Sequence, residues 1–121
     1  MFEIRLVRAY EDKQGEKDDG YRILVDRLWP RGIKKEELSF DWWPKEIAPS
    51  KELRQAFGHE ESKFEDFRDA YMAELEANPL KEEFSQRVKN QLKSHNVTLI
   101  YGAKDKEHNQ AIVLKEWLES Q

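Results

Sequence analysis

The chain has 121 residues, of which 38% are charged, a net charge of −4 and no cysteine. That length predicts a single domain over residues 1–121, large enough to bury a core without staples. The missing thiols exclude disulfides, thiolate metal centres and cysteine nucleophiles. The acidic balance disfavours a dedicated nucleic-acid binder, whose affinity comes from a basic face. The N-terminal stretch is charged throughout, with Glu3 already in place, so no signal peptide is expected. No apolar run approaches the ~20 residues that span a bilayer. The expectation is a cytoplasmic chain with no membrane partner.

In chain order, "FEIRLVR" alternates apolar and polar positions, the period of a strand with one wetter face. "EDKQGEKDDG" gathers charge and two glycines into an exposed loop. "YRILVDRLW" is a second strand, more continuously apolar and so expected to be buried on both faces, ending between Asp26 and Trp29. Pro30 and Gly32 then turn the chain. Residues 33–48 are irregular, with "KKEEL" as one helical turn and room for a fourth short strand.

Ser50 is placed to cap a short helix, "KELRQAF", and Gly58 to end it. Phe64, Phe67, Tyr71 and Leu75 mark one face of the next helix, and Asn78-Pro79 interrupts it. Leu80, Phe84, Val88 and Leu92 mark another. "VTLIY" (97–101) is a compact apolar strand. A last helix, expected to start near Lys104 or Asp105, carries Ala111, Val113, Leu114, Trp117 and Leu118 inward. Strands separated by helices give an α/β class: a small, mostly parallel sheet of three or four strands flanked by helices.

Ligands of open α/β sheets bind beyond the carboxyl ends of the strands. Two such ends carry polar clusters here. The first comprises Asp26, Arg27, Trp29 and Arg31, and the second Gly102, Lys104, Asp105, His108 and Asn109. Residues 22–35 hold five basic side chains (Arg22, Arg27, Arg31, Lys34, Lys35) against one acid, Asp26, a balance that suits a small anion. Arg27, Trp29, Arg31, Gly102, Lys104 and Asn109 are therefore the candidate ligand-binding residues. Asp26 and His108 are the candidate catalytic pair, a base with its orienter. Arg54 and His59 flank Phe57 and could reach the same crevice, though nothing in the spacing requires it. Structural roles compete at each position: Arg27 as partner of a carboxylate, Asp105 as a helix cap, the tryptophans as core or lid, Lys34 and Lys35 as a solvated run. No triad, zinc or P-loop motif occurs, and neither a metal nor a cofactor is expected.

The strings "VDRLWPRG", "DWWPKEIAPSKELRQAFGH", "FRDAYMAEL" and "TLIYGAKDKEHNQAIVLKEWL" resemble the YeaO-like branch of the domain-of-unknown-function 488 family, over residues 2 to 118 or so. The resemblance implies a compact bacterial α/β domain with "DRLWPRG" and "HNQAIVL" as signature blocks, and implies no established activity. A wider branch of that family carries a Cys-His-Arg cluster where this chain has Glu107-His108-Asn109. With no cysteine, the thiol-based or phosphatase-like chemistry suggested by that branch does not carry over.

Three functions fit these features. The first is a site for a small anionic ligand (phosphate, nucleotide or carboxylate metabolite) at the ends of strands 22–28 and 97–101, with or without hydrolytic or acid/base chemistry. The second is a non-enzymatic interaction or regulatory module using Trp42 and Trp43, which requires those rings to be exposed. The third, nucleic-acid binding through residues 22–35, is the weakest.

Overall fold

Residues 2–121 are described by a computed structural model. The fold is α/β. Strands β1 (Ile4–Arg8), β2 (Tyr21–Leu24) and β3 (Val97–Tyr101) form a sheet in the order β1-β3-β2, with both pairings parallel. Val97 is level with both Ile4 and Tyr21, so all three strands finish at one edge. All five residues of β3 are buried, as expected for an apolar strand with neighbours on both sides.

Strand β2 lies beside only one neighbour in the sheet, yet Ile23 and Leu24 are fully buried. Its outer edge is covered by residues 39–42, which supply the extra pairing that the sequence leaves room for. Leu24 N–H donates to the Trp42 carbonyl (2.9 Å), Asp41 N–H donates to the Arg22 carbonyl (2.7 Å), and Ile23 bridges Trp42 in parallel. The strand edge is thereby closed to other chains.

Alternation along the strands sends side chains into two cores. Ile23, Val25, Val97, Leu99 and Tyr101 meet the helical layer. That layer consists of α1 (Lys51–Phe57), α2 (Phe64–Ala77), α3 (Lys81–Gln91) and α4 (Gln110–Glu119). Leu24 and Ile100 face the other way, onto Ile33, Leu38, Trp29 and Trp43. The expected flanking helices pack on one face of the sheet. The other is covered by the irregular 29–43 segment, whose one 3-10 turn, Lys35–Glu37, lies within the "KKEEL" stretch expected to form a helical turn.

The caps of α1 are those expected. Ser50 Oγ accepts from Leu53 N–H (3.2 Å), and Gly58 adopts the left-handed conformation at φ 54°. The start of α4 is a correction. Asn109, not a residue near Lys104 or Asp105, is its N-cap, with Oδ1 accepting from Ile112 N–H (3.1 Å). Arg22 is a second correction. It is buried against Asp19 and donates to the carbonyls of Ser39 and Asp12, so it does not belong to a basic surface patch. No helix among the described residues is long and apolar enough to cross a membrane.

Candidate functional site

The parallel arrangement brings three strand ends together, and the chain leaving each contributes to one cavity of about 420 Å³. Beyond β2 come Asp26, Arg27, Trp29 and Arg31. Gly102 follows β3, and Tyr10 follows β1. Helix α1 and its exit add Arg54, Phe57 and His59, and α4 adds Gln110.

Asp26 is the fixed point of this cavity. Its Oδ2 accepts from Gly102 N–H (2.9 Å), its Oδ1 accepts from Gln110 Nε2, and its carbonyl accepts from Trp43 Nε1 (2.8 Å). Glycine is required at 102 by this approach, because a Cβ there would stand 2.8 Å from Oδ2. Burial pushes the Asp26 carboxyl up from 3.8 to about 6, against the lowering effects of the Gly102 and Gln110 hydrogen bonds and the Arg54 charge. At neutral pH the group remains mostly ionised and acts as an acceptor.

The two arginines differ. Arg27 neither pairs with Asp26 nor leaves its fork open. Its Nε donates to the Pro49 carbonyl (3.1 Å) and its Nη2 to the Ala48 carbonyl (2.9 Å), tying the β2 exit to the entry of α1. Only its charge and remaining nitrogen serve the cavity. Arg54 reaches in from α1 with a buried Nε that has no hydrogen-bond partner, the one such side-chain atom among the described residues. A buried, charged donor without a partner is costly unless something accepts from it.

Around these polar groups stand rings. Phe57 is stacked on Phe67 at 4.4 Å between centroids. Trp29 meets Trp43 edge-on at 5.5 Å and donates its Nε1 to the Ile33 carbonyl (2.6 Å). Tyr10 donates its hydroxyl to the Arg31 carbonyl (2.6 Å), which orders the mouth. His59 is the single non-glycine at positive φ (58°) among the described residues, and it stands on the cavity lining. Such a conformation costs free energy and persists only where the surroundings impose it.

The second predicted cluster is placed elsewhere. His108 does not line the cavity. Its Nδ1 faces Asp105 Oδ2 (3.0 Å), its Nε2 faces Glu61 (3.6 Å), and its ring is edge-on to Phe64 at 5.2 Å. The proposed pairing of His108 with Asp26 is therefore not formed, because both ring nitrogens are directed at other carboxylates. Asn109 is fully buried and occupied as a cap, its Nδ2 donating to the Asp105 carbonyl (2.9 Å). Lys104 is exposed and away from the cavity lining. Glu61, Asp105 and His108 present ligand atoms within 4.8 Å of one another, but Asp105 is already held by the N–H groups of Glu107 (2.9 Å) and His108 (3.0 Å). The lowered Asp105 pKa follows from the Glu107 bond first, with the His108 contacts adding to it.

Of the expected set, the structure thus gathers Asp26, Arg27, Trp29, Arg31 and Gly102, and leaves out Lys104, His108 and Asn109. It adds Arg54 and His59, whose spacing about Phe57 is the only sequence signal for them. It also adds Gln110 and Tyr10, which sequence reasoning missed as site residues. Tyr10 was discoverable, since it closely follows a strand parallel to the other two. Trp42 and Trp43 are half-buried. Trp42 lies under the Arg87 guanidinium (4.0 Å) and beside Phe84 (5.5 Å). Trp43 lies under the Lys45 ammonium (4.3 Å).

Comparison with known proteins agrees with the resemblance of the sequence strings. The chain is 48% identical over 117 residues to the uncharacterized protein YeaO of Escherichia coli strain K12, covering 97% of each chain. It is 46% identical over 72 residues to the uncharacterized protein Rv3073c of Mycobacterium tuberculosis strain H37Rv, covering 60% of this chain and 59% of that one. The same figures hold for the uncharacterized protein Mb3100c of Mycobacterium bovis. No solved structure matches at a significant level. A family model described as the inactive DUF488-N3 subclade matches residues 3–121, and the chain belongs to this YeaO-like branch of the DUF488 family.

Proposed function

We propose that the chain binds a small anionic ligand in the cavity beyond the ends of β2 and β3, and that it does so as a binding protein and not through thiol or histidine catalysis. The observation that carries this reading is Arg54, which brings its guanidinium charge to the lining of an open cavity and whose buried Nε has no hydrogen-bond partner. Arg27 and Arg31 add positive charge around it, and an anion would pair with the Arg54 guanidinium through a charge-assisted bond. Three further observations weigh against a catalytic assignment. The chain has no cysteine, the family model is described as inactive, and His108 faces Asp105 and Glu61. Asp26 then serves as a fixed acceptor that sets which end of the ligand enters. The interaction-module reading through Trp42 and Trp43 has less support, because both rings are engaged within the chain.

Thermal unfolding in inorganic phosphate, against chloride at matched ionic strength, tests the proposal. A ligand bound only by the native state raises stability by about 1.4 kcal/mol at ten times its Kd. The wild-type chain and His108→Ala should both gain stability from phosphate, and Arg54→Gln should not. An identical response to phosphate and chloride in the wild type would refute the reading.

A further inference from the structure

We infer, resting on the anion-site reading above, that the ligand is a planar ring carrying both an anionic group and an N–H or O–H donor, and not a bare inorganic ion.

Size is the first argument. About 420 Å³ falls in the range of sites that enclose whole organic molecules, which are mostly apolar with a few placed polar groups. A phosphate held at Arg54 would leave most of that space unused. The second argument is the character of the walls. Tyr10, Trp29, Phe57 and Phe67 contribute rings, and Leu28 extends the apolar surface to the mouth. Leu28 is 65% exposed, the most exposed large apolar side chain among the described residues. Aromatic walls favour flat ligands, through stacked or edge-on ring contacts that add to the area buried. A guanidinium such as that of Arg54 also stacks on a flat ring.

Asp26 supplies the third argument. Its carboxylate shares the cavity with the arginines, where its charge repels a second anion, and when ionised it can only accept hydrogen bonds. Its oxygens take one bond each, from Gly102 and Gln110, and each has accepting capacity left. A ligand seated with its anionic end on Arg54 therefore has to present a donor to Asp26. The polar groups and the rings together describe one molecule: anion, ring and donor.

Two matched pairs test this by calorimetric titration of the full chain at neutral pH. Adenosine 5′-monophosphate is compared with ribose 5-phosphate, and indole-3-acetate with acetate. In at least one pair the ring-bearing member should bind about tenfold or more tighter than its ringless partner, and the pair that responds identifies the head group as phosphate or carboxylate. Where the indole binds, its N-methyl analogue should bind more weakly to the wild type and about equally to Asp26→Asn, since a site built to accept from a donor rejects the analogue that lacks it. Ringless anions that bind as tightly as their ring-bearing partners would overturn this inference and leave the anion site standing. Failure of all four probes to bind would overturn this inference, while the response to inorganic phosphate decides the anion site separately.

Discussion

Replacing Asp26 with asparagine should make the protein more stable at neutral pH and remove a specific part of its pH dependence. The Asp26 carboxyl is raised from 3.8 to about 6, with burial as the main cause. Ionising it in the folded chain is then about 3 kcal/mol less favourable than in the unfolded chain, at 1.36 kcal/mol per pKa unit. The native state holds its proton longer, so the contribution is fully present below the unfolded value and is lost as pH rises through about 6. Between pH 4 and pH 7 the wild type should lose about 2 kcal/mol from this group alone. The introduced amide carries no charge, and a flipped Gln110 amide can still pair with it while Gly102 N–H donates to its oxygen. Urea unfolding of both proteins from pH 4 to 8 gives the difference curve. The subtraction cancels the carboxyls of Glu76, Asp105 and Glu116, whose lowered values act at more acid pH and in the opposite sense. The variant should gain on the wild type steadily up to about pH 7 and then level off. A flat difference curve, or a variant that is less stable at pH 7 than at pH 4 relative to wild type, would refute the reasoning.

Three other substitutions separate scaffold from site. Gly102→Ala places a methyl 2.8 Å from Asp26 Oδ2, so the carboxylate has to abandon the Gly102 N–H, and urea unfolding should show a loss of about 1–3 kcal/mol. Arg27→Ala leaves the buried carbonyls of Ala48 and Pro49 without their donor, and should cost about 2–3 kcal/mol in the same assay whether or not ligand is present. His59→Gly removes the side-chain penalty at φ 58°. It should raise stability by up to about 1 kcal/mol while weakening ligand binding, a combination that an ordinary surface residue would not give.

Much of the scaffold is readable from residue pattern because it obeys local rules. "VTLIY" is apolar throughout and becomes the central strand. Ser50 and Gly58 bound α1 where capping chemistry places them. The parallel pairing of β2 with β3 follows from the helices between them, whereas β1 and β2 are joined by a loop without an α-helix. The 29–43 segment was not readable, because Ile33, Leu38, Trp29 and Trp43 are buried by contacts with distant strands and follow no helical or strand period. The final helix begins late because Asp105 organises a turn of its own before Asn109 caps the helix.

The candidate site is readable to a similar degree. Asp26 and Gly102 lie at strand ends, where the fold class directs attention. Arg22 and Arg27 look like members of one basic patch, but each is anchored to backbone carbonyls, which composition cannot reveal. Arg54 looks like any charged residue on a short amphipathic helix. Only the folded surroundings of α1, which packs on α2, leave its Nε buried without a partner.

In the proposed site the Arg54 guanidinium pairs with the ligand's anionic group. The most direct measurement follows the side-chain Nε–Hε resonance of Arg54 by NMR, assigned by its loss in Arg54→Lys, while inorganic phosphate and then adenosine 5′-monophosphate are added at constant ionic strength. The account predicts a saturable downfield shift of that proton, larger for the ring-bearing anion. A resonance that stays put while either anion binds elsewhere on the chain would contradict it.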